Sequence, residues 1–194
     1  MAYKIADAAS MLPVRYMDMG DGTFAPFQVA VIRDADGNDP LAASAGAKVE
    51  VTPVLDTAAY AAGDVLFGFT AIPGALSAAG RVALLQDVVA SDKADTGVTI
   101  TLVFADATAA MGTVNAAPTL SDADSFKLLG SVSIAAADWV DLGGNRVATL
   151  RNLGLMLEAA AGTSVFVAGV ITGGGTAGTF AASDLQLRFG ILQG

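Results

Sequence analysis

Hydrophobic and polar residues alternate along two segments of the chain. Every second residue from 98 to 104 is apolar, and the same alternation runs from 184 to 191. Successive side chains of a β-strand point to opposite faces, so a period of two predicts strands with one buried face. The predicted buried faces consist of Val98, Ile100, Leu102 and Phe104 on the first strand and Leu185, Leu187, Phe189 and Ile191 on the second.

Further strands are predicted where β-branched and aromatic residues cluster between turn signals. Pairs such as Pro73-Gly74 and Gly143-Gly144 separate these runs. Short strands at this spacing indicate an all-β fold, an antiparallel β-sandwich of jelly-roll type, with a single barrel or a β-tulip as the alternative. The runs are 24–32, 48–55, 64–72, 81–90, 130–135, 147–157 and 163–171.

One short helix is predicted over residues 121–129. Ser121 is a suitable N-cap, and Asp122 and Asp124 would lie near the positive end of the helix dipole. Gly130 can end the helix in the left-handed conformation. The residues expected to anchor the helix on the sandwich are Phe126, Leu128 and Leu129.

The first 47 residues are predicted to form an N-terminal arm and linker, followed by a β-sandwich domain over residues 48–194. Pro13 and Pro26 stand among large apolar residues, and a proline suits an arm or an edge strand because it cannot donate to a ladder. An apolar arm is costly to leave in water, so we expect it to pack on a neighbouring subunit; the alternative is an edge strand of its own domain. The residues assigned to this interface are Met11, Leu12, Phe24 and Phe27.

The composition and net charge of the chain indicate which kinds of partner it binds. Hydrophobic residues make up 54% of the chain and charged residues only 15%, against about 25% in ordinary domains. So few charges favour a surface that is partly covered by other subunits. The net charge of −9 comes almost entirely from aspartate, since Glu50 and Glu158 are the only glutamates. Aspartate favours turns, and the negative balance argues against nucleic acid as a partner.

The chain offers little material for chemistry. It has no histidine and no cysteine, the side chains most often used as general bases, nucleophiles and soft metal ligands. We therefore predict no catalytic residue, no cofactor and no metal site. Residues 34–39 alternate oxygen side chains like the start of a calcium loop, but an EF-hand would need glycine at Asp39 and glutamate at Ala45. A turn that uses aspartate for local hydrogen bonds is the better interpretation.

Neither a signal peptide nor a membrane span is expected. The N-terminal residues include no continuous apolar stretch of the kind a secretory signal requires. Residues 159–183 carry no charge, but six glycines interrupt them. A membrane helix would be more continuously apolar, so this stretch is interpreted as a buried strand followed by a glycine-rich loop.

A resemblance runs through most of the chain from about Leu12. Its residues are 14–24 (Val-Arg-Tyr-Met-Asp-Met-Gly-Asp-Gly-Thr-Phe), 55–65, 102–106, 115–124 and 185–190. In this order the segments resemble small virion structural proteins of tailed double-stranded DNA bacteriophages. The resemblance implies a capsid decoration (cement) protein, commonly a homotrimeric β-sandwich seated on the head lattice. It implies no residue roles, because that family has no shared active-site motif.

The leading hypothesis is a decoration protein on the outer surface of the phage head, which stabilises the head by bridging capsomers and performs no catalysis. Its expected partners are other copies of itself, as a homotrimer, and the lattice of the major capsid protein, with no nucleic acid and no membrane among them. The alternatives are a fibre or head-surface module that recognises host glycans, or a head–tail or tail subunit. Glycan stacking requires exposed aromatic side chains, whereas the single tryptophan, Trp139, is assigned to a half-buried strand end.

Overall fold

The computed structural model describes residues 15–18, 24–27, 45–173 and 178–194. The chain divides into two compact units, Met1–Ala43 and Ser44–Gly194. In the first unit, β1 (Arg15–Asp18) pairs with β2 (Phe24–Phe27) as an antiparallel two-stranded sheet. The strand β2 includes Pro26, and proline occurs in edge strands such as this because it cannot donate to a central ladder.

The regular secondary structure of the second unit is almost entirely β-strand. Two short helical turns interrupt the strands, α1 (Asp122–Ser125) and a 3₁₀ turn (Ala136–Asp138). The strands are β3 (Ala45–Val51), β4 (Val65–Ile72), β5 (Val82–Asp92), β6 (Thr99–Ala105), β7 (Leu128–Ile134), β8 (Trp139–Asp141), β9 (Arg146–Glu158), β10 (Val165–Gly173) and β11 (Leu185–Gln193).

The strands pair in the order of a jelly roll. One sheet has the order β3-β11-β5-β9-β8 and the other the order β4-β10-β6-β7, and all their ladders are antiparallel. The strand β3 lies beside β11, β4 beside β10, β5 beside β9, and β6 beside β7. This nested pairing results when one long hairpin is rolled into two facing sheets. The predicted antiparallel β-sandwich of jelly-roll type is confirmed, and β8 adds a short edge strand to it.

The predicted alternation defines the core. All eight residues assigned to the buried faces of β6 and β11 expose 5% of their surface or less. Phe104 and Phe189 meet across the two sheets edge to face, with ring centroids 5.9 Å apart. One contiguous cluster of buried side chains fills the space between the sheets, with contributions from both of them. Burial of alternate residues from two facing sheets is therefore what holds this unit together.

The short helix is present, but the prediction of residues 121–129 is wrong in length. The Ser121 side chain caps the helix as predicted and accepts a hydrogen bond from the backbone N–H of Asp124 at 3.1 Å. The helix ends at Ser125, after four residues. Residues from Leu128 onward belong to β7, because pairing with β6 satisfies more backbone groups than another helical turn would.

Two details of the predicted helix also require correction. Gly130 does not cap the helix; it lies within β7, opposite Phe104 of β6. Phe126 does not anchor the helix on the sandwich, since 88% of its surface is exposed. Leu128 and Leu129 are partly buried as members of β7 instead.

In the sandwich, the predicted strand bounds agree with the structure to within a few residues; of the predicted strand 24–32, only residues 24–27 are described, and they form β2. The strand β3 begins at Ala45, three residues before the predicted start at Lys48, because small residues pair with β11 as readily as large ones. The sequence pattern does not predict β1 and β8, since four and three residues are too few to show an alternation.

The close contact between Gly169 and Phe67 supplies a test of the core. A Cβ atom on Gly169 of β10 would overlap the buried Phe67 ring of β4, which packs directly on the glycine backbone. Replacement of Gly169 by alanine should lower the free energy of unfolding by about 1–3 kcal/mol through overpacking. Thermal unfolding should then shift down by several degrees.

The matched control is Gly68→Ala on the neighbouring strand. A Cβ atom there meets nothing within 4 Å, and the backbone is in a region that alanine adopts. This variant should unfold within about 0.5 kcal/mol of the parent chain, as surface substitutions usually do. Equal stability of both variants would contradict the assigned packing of Phe67 on Gly169.

Candidate interaction surface

The four residues predicted to form the interface belong to the first unit. Phe24 and Phe27 are the two end residues of β2, and they lie opposite Asp18 and Arg15 of β1. The other two, Met11 and Leu12, lie outside the described residues, as does the turn at 34–39. The structure thus places two of the four on one short strand.

The two ends of the sandwich differ in charge. We call the end at which β3 begins the proximal end; it carries the turns 73–81, 106–127 and 159–164. The opposite, distal end carries residues 52–64, 93–98, 135–145 and 178–184. Hydrogen bonds between turns fix this grouping: Leu76 donates to Thr163 at the proximal end, and Leu55 donates to Ala182 at the distal end. The distal residues include six aspartates and one lysine, whereas the proximal ones include three aspartates and two cations.

The distal aspartates also shape the turns, as the bias towards aspartate predicted. Five of them accept a hydrogen bond from a backbone N–H two or three residues away, at 2.6–2.8 Å. Such local bonds stabilise tight turns. The five are Asp56, Asp64, Asp138, Asp141 and Asp184.

A buried carboxylate organises the distal turn between β5 and β6. Asp92 is 1% exposed and accepts hydrogen bonds from the backbone N–H groups of Ala94, Thr96 and Gly97 and from the Thr96 hydroxyl, at 2.7–3.1 Å. These four donors satisfy the oxygens of the buried side chain. Next to this turn, Arg146 Nε lies 2.7 Å from Asp95, and this hydrogen bond raises the pKa of the guanidinium. The cluster is a structural brace.

The large aromatic side chains at the distal end are buried. Trp139 lies at the start of β8, a strand end as predicted, but it is buried rather than half-buried: it is 7% exposed and donates from its indole N–H to the Val98 carbonyl at 2.8 Å. The Tyr60 hydroxyl donates to the Leu66 carbonyl, and burial raises its pKa. Among the described aromatic side chains whose burial is known, only Phe126 is exposed. These residues supply no cluster on which a sugar could stack.

A loop covers part of the outer face of the four-stranded sheet. Residues 106–121 leave β6 at the proximal end and reach the start of β4. There the backbone N–H of Asn115 donates to the Val65 carbonyl, and the backbone N–H of Val65 donates to the Ala116 carbonyl. Met111 of this loop is buried against a small apolar cluster that includes Val65 and Ala168. Lys127 fastens the base of the loop through Thr108 and Asp124, and its hydrogen bond to Asp124 lowers the pKa of that carboxyl group.

The outer face of the five-stranded sheet carries a row of three apolar side chains, of which Leu84 is half-buried and Met156 and Leu192 are exposed. Leu192 of β11, Leu84 of β5 and Met156 of β9 are direct neighbours in the register and point away from the core. Val82 lies next to them towards the proximal end, opposite Glu158. The exposed fractions are 40% for Leu192, 61% for Met156 and 48% for Val82. We call Leu84, Met156 and Leu192 the apolar row.

The rest of this face is charged. Glu50 of β3 binds Lys48 at 2.8 Å and Arg188 of β11 at 3.1 Å, and its pKa is lowered by the hydrogen bond to Lys48 and then by both positive charges. Asp87 of β5 lies opposite Arg151 of β9, one row from the apolar row. The sheet therefore presents an apolar strip near the proximal end and charges of both signs beside it.

Sequence reasoning did not find the apolar row. The outward positions of β5, β9 and β11 mix apolar, polar and charged residues, so a period of two does not mark any of them. The row arises only when the register aligns one apolar residue from each of three strands that are distant in sequence. A signal existed in the run Leu-Met-Leu at 155–157, which is apolar on both faces of β9.

Comparison of the chain with protein-family models, curated proteins and solved structures gave no match. Within the described ranges, no three acidic residues come together in a way that could hold a metal ion. None of the helices in that part of the chain is long and apolar enough to cross a membrane.

The Asp92 brace can be tested by truncation. Asp92→Ala leaves three backbone N–H groups of the turn without their acceptor, and each unsatisfied buried donor costs about 1–3 kcal/mol. We expect a loss of at least about 3 kcal/mol in chemical denaturation, with an unchanged slope. Asp87→Ala, which removes a carboxylate from the solvent side of the same strand, should cost less than about 0.5 kcal/mol. Similar losses for the two variants would rule out the brace.

Proposed function

We propose that this chain is a capsid decoration protein of a tailed bacteriophage, bound to the outer surface of the head, where it bridges neighbouring capsomers without catalysis. Each copy uses its N-terminal unit and the proximal part of the sandwich to hold the lattice of the major capsid protein. The copies associate as homotrimers. The sequence resemblance to virion structural proteins motivates this function.

The observation that carries the proposal is the polarity of the sandwich. Its distal end has a formal charge of −5, from six aspartates and one lysine, and the proximal stretches have a charge of −1, from three aspartates and two cations. The chain enters the sandwich at the proximal end, at Ala45, after an N-terminal segment rich in large apolar residues. A decoration protein needs one adhesive end and one solvated end, and a like-charged outer surface keeps particles apart.

A bracing role also agrees with the construction of the fold. The buried carboxylate with the most partners, Asp92, stabilises a turn. A rolled double sheet with a single core resists deformation because core packing tolerates little change of volume. Bridging then stabilises the head because separation of two capsomers exposes the apolar area buried by the bridge.

The first prediction from this function concerns oligomeric state. Low charge and an apolar N-terminal segment favour association, so light scattering of the full chain at low concentration should give about three times the mass of one 19.3 kDa chain. Substitution of Phe24 and Phe27 by serine should reduce the trimer fraction if the arm packs on a neighbouring subunit. A monomer at every concentration, together with isolated copies on particles, would contradict the trimer.

The second prediction concerns attachment. Particles that lack the protein are incubated with the full chain or with a variant that lacks residues 1–43, and bound copies are counted. Full burial of a large apolar side chain contributes about 1.5–3 kcal/mol. Loss of even two such contacts should reduce occupancy at least about tenfold, and trimeric binding multiplies the effect. Circular dichroism should show that the truncated chain keeps its β-sandwich.

The control for attachment is Val140→Ser, at the distal end. Val140 is 60% exposed, so the substitution removes a similar apolar group from the end that should face solvent. This variant should bind particles like the parent chain. Equal binding of the truncated chain would place the lattice contact outside the N-terminal unit, and unfolding of the truncated chain would show that the first unit supplies part of the sandwich.

A further inference from the structure

We propose that the outer face of the five-stranded sheet is a two-fold contact surface for a second copy of this chain, centred on the apolar row. The other outer face is partly covered by residues 106–121, whereas Met156 and Leu192 of the apolar row are exposed and Leu84 is half-buried. Three neighbouring apolar side chains on three adjacent strands form a continuous strip rather than scattered surface residues.

Two opposite charges flank this strip on the same strand. Glu158 lies two residues beyond Met156, one row towards the proximal end. Arg151 lies one row towards the distal end, because the register aligns it with Asp87 while Met156 aligns with Leu84. Met156 lies five residues after Arg151, but the two are close along the strand axis because β9 bulges between them, with positive φ at Asn152 and Gly154.

Both charges are available for a partner. Arg151 and Glu158 are exposed, and neither forms an ion pair within the part of the chain that the structure describes. The other basic residues of this face, Lys48 and Arg188, are already bound to Glu50. The Asp87 carboxylate packs against Gly190, because a glycine has no side chain to occupy that space.

A two-fold axis along the apolar row makes this surface complementary to itself. Rotation about this axis places each apolar side chain opposite its equivalent in the second copy. The residues on the proximal side of the row in one copy then lie opposite the residues on the distal side of the row in the other. Two residues along a strand span about 7 Å, so Arg151 and Glu158 are displaced from the row by similar amounts in opposite directions. Arg151 of each copy therefore meets Glu158 of the other, which gives two symmetric ion pairs around an apolar centre.

The charge pattern of this face favours a second copy of the chain as its binding partner. A two-fold contact requires each charge to find its opposite at the symmetry-related position, and the face meets that requirement with residues of one strand. Two sheets related in this way pack with their strands aligned, the commoner arrangement for stacked sheets. The contact does not depend on the proposed function: it can join copies from neighbouring trimers or act without them.

The test uses two charge reversals measured separately and together by sedimentation of the full chain. Arg151→Glu and Glu158→Arg each place like charges opposite one another, so each variant alone should self-associate at least about tenfold more weakly than the parent chain. In a one-to-one mixture, the new carboxylate of the first variant meets the new guanidinium of the second. The native Glu158 of the first variant also meets the native Arg151 of the second, so both ion pairs are restored. The mixture should therefore associate like the parent chain.

Lys93→Glu is the matched control, because it makes the same change in net charge as Arg151→Glu at the distal end, where Lys93 is exposed. It should leave the association unchanged. A mixture that associates no more strongly than the separate variants, or a parent chain that forms neither dimers nor contacts between trimers, would overturn the two-fold surface. Trimer formation and particle binding are measured independently. Neither result of this experiment therefore decides whether the proposed function is correct.

Discussion

The structure depends on the burial of alternate side chains between two antiparallel sheets. Neither sheet is stable in water with its apolar face exposed, so each provides the surface that the other requires. Phe104 and Phe189, which meet edge to face from opposite sheets, mark the centre of this contact. The jelly-roll order follows naturally, because nested antiparallel pairing brings the first and last strands of the sandwich together and leaves few free edges.

The same constraint explains which features the sequence could reveal. The strands β6 and β11 are predictable with their buried faces, since solvent on one side and core on the other force a period of two. The Ser121 cap is also predictable from local chemistry. The end of the helix is not, because Leu128 and Leu129 suit a helix or a strand equally well, and only the free edge of β6 decides between them.

Surface features are harder to predict than the core for a related reason. The apolar row is a property of register across three strands, and register depends on bulges near Leu85 and Gly190 that no local pattern marks. The predicted interface residues Phe24 and Phe27 are local instead, and β2 places them at its two ends. Their proposed role in attachment rests on apolarity and on the resemblance to phage structural proteins.

The distribution of charge connects the fold with the proposed function. The aspartates of the distal end bind backbone N–H groups of its turns, a role for which their short carboxylate side chains are suited. The carboxylates that make this end acidic thus also stabilise its turns. A protein with this construction can present a solvated, repulsive surface outward and keep its less charged end and apolar segment for partners.

Electron cryo-microscopy of intact virions, with and without this protein, tests the central claim most directly. The proposed function predicts difference density on the outer surface of the head, over contacts between capsomers, with the sandwich oriented so that Asp138 and Asp184 of the distal end face solvent. Density inside the head, density confined to the tail, or a sandwich whose acidic end faces the lattice would contradict it.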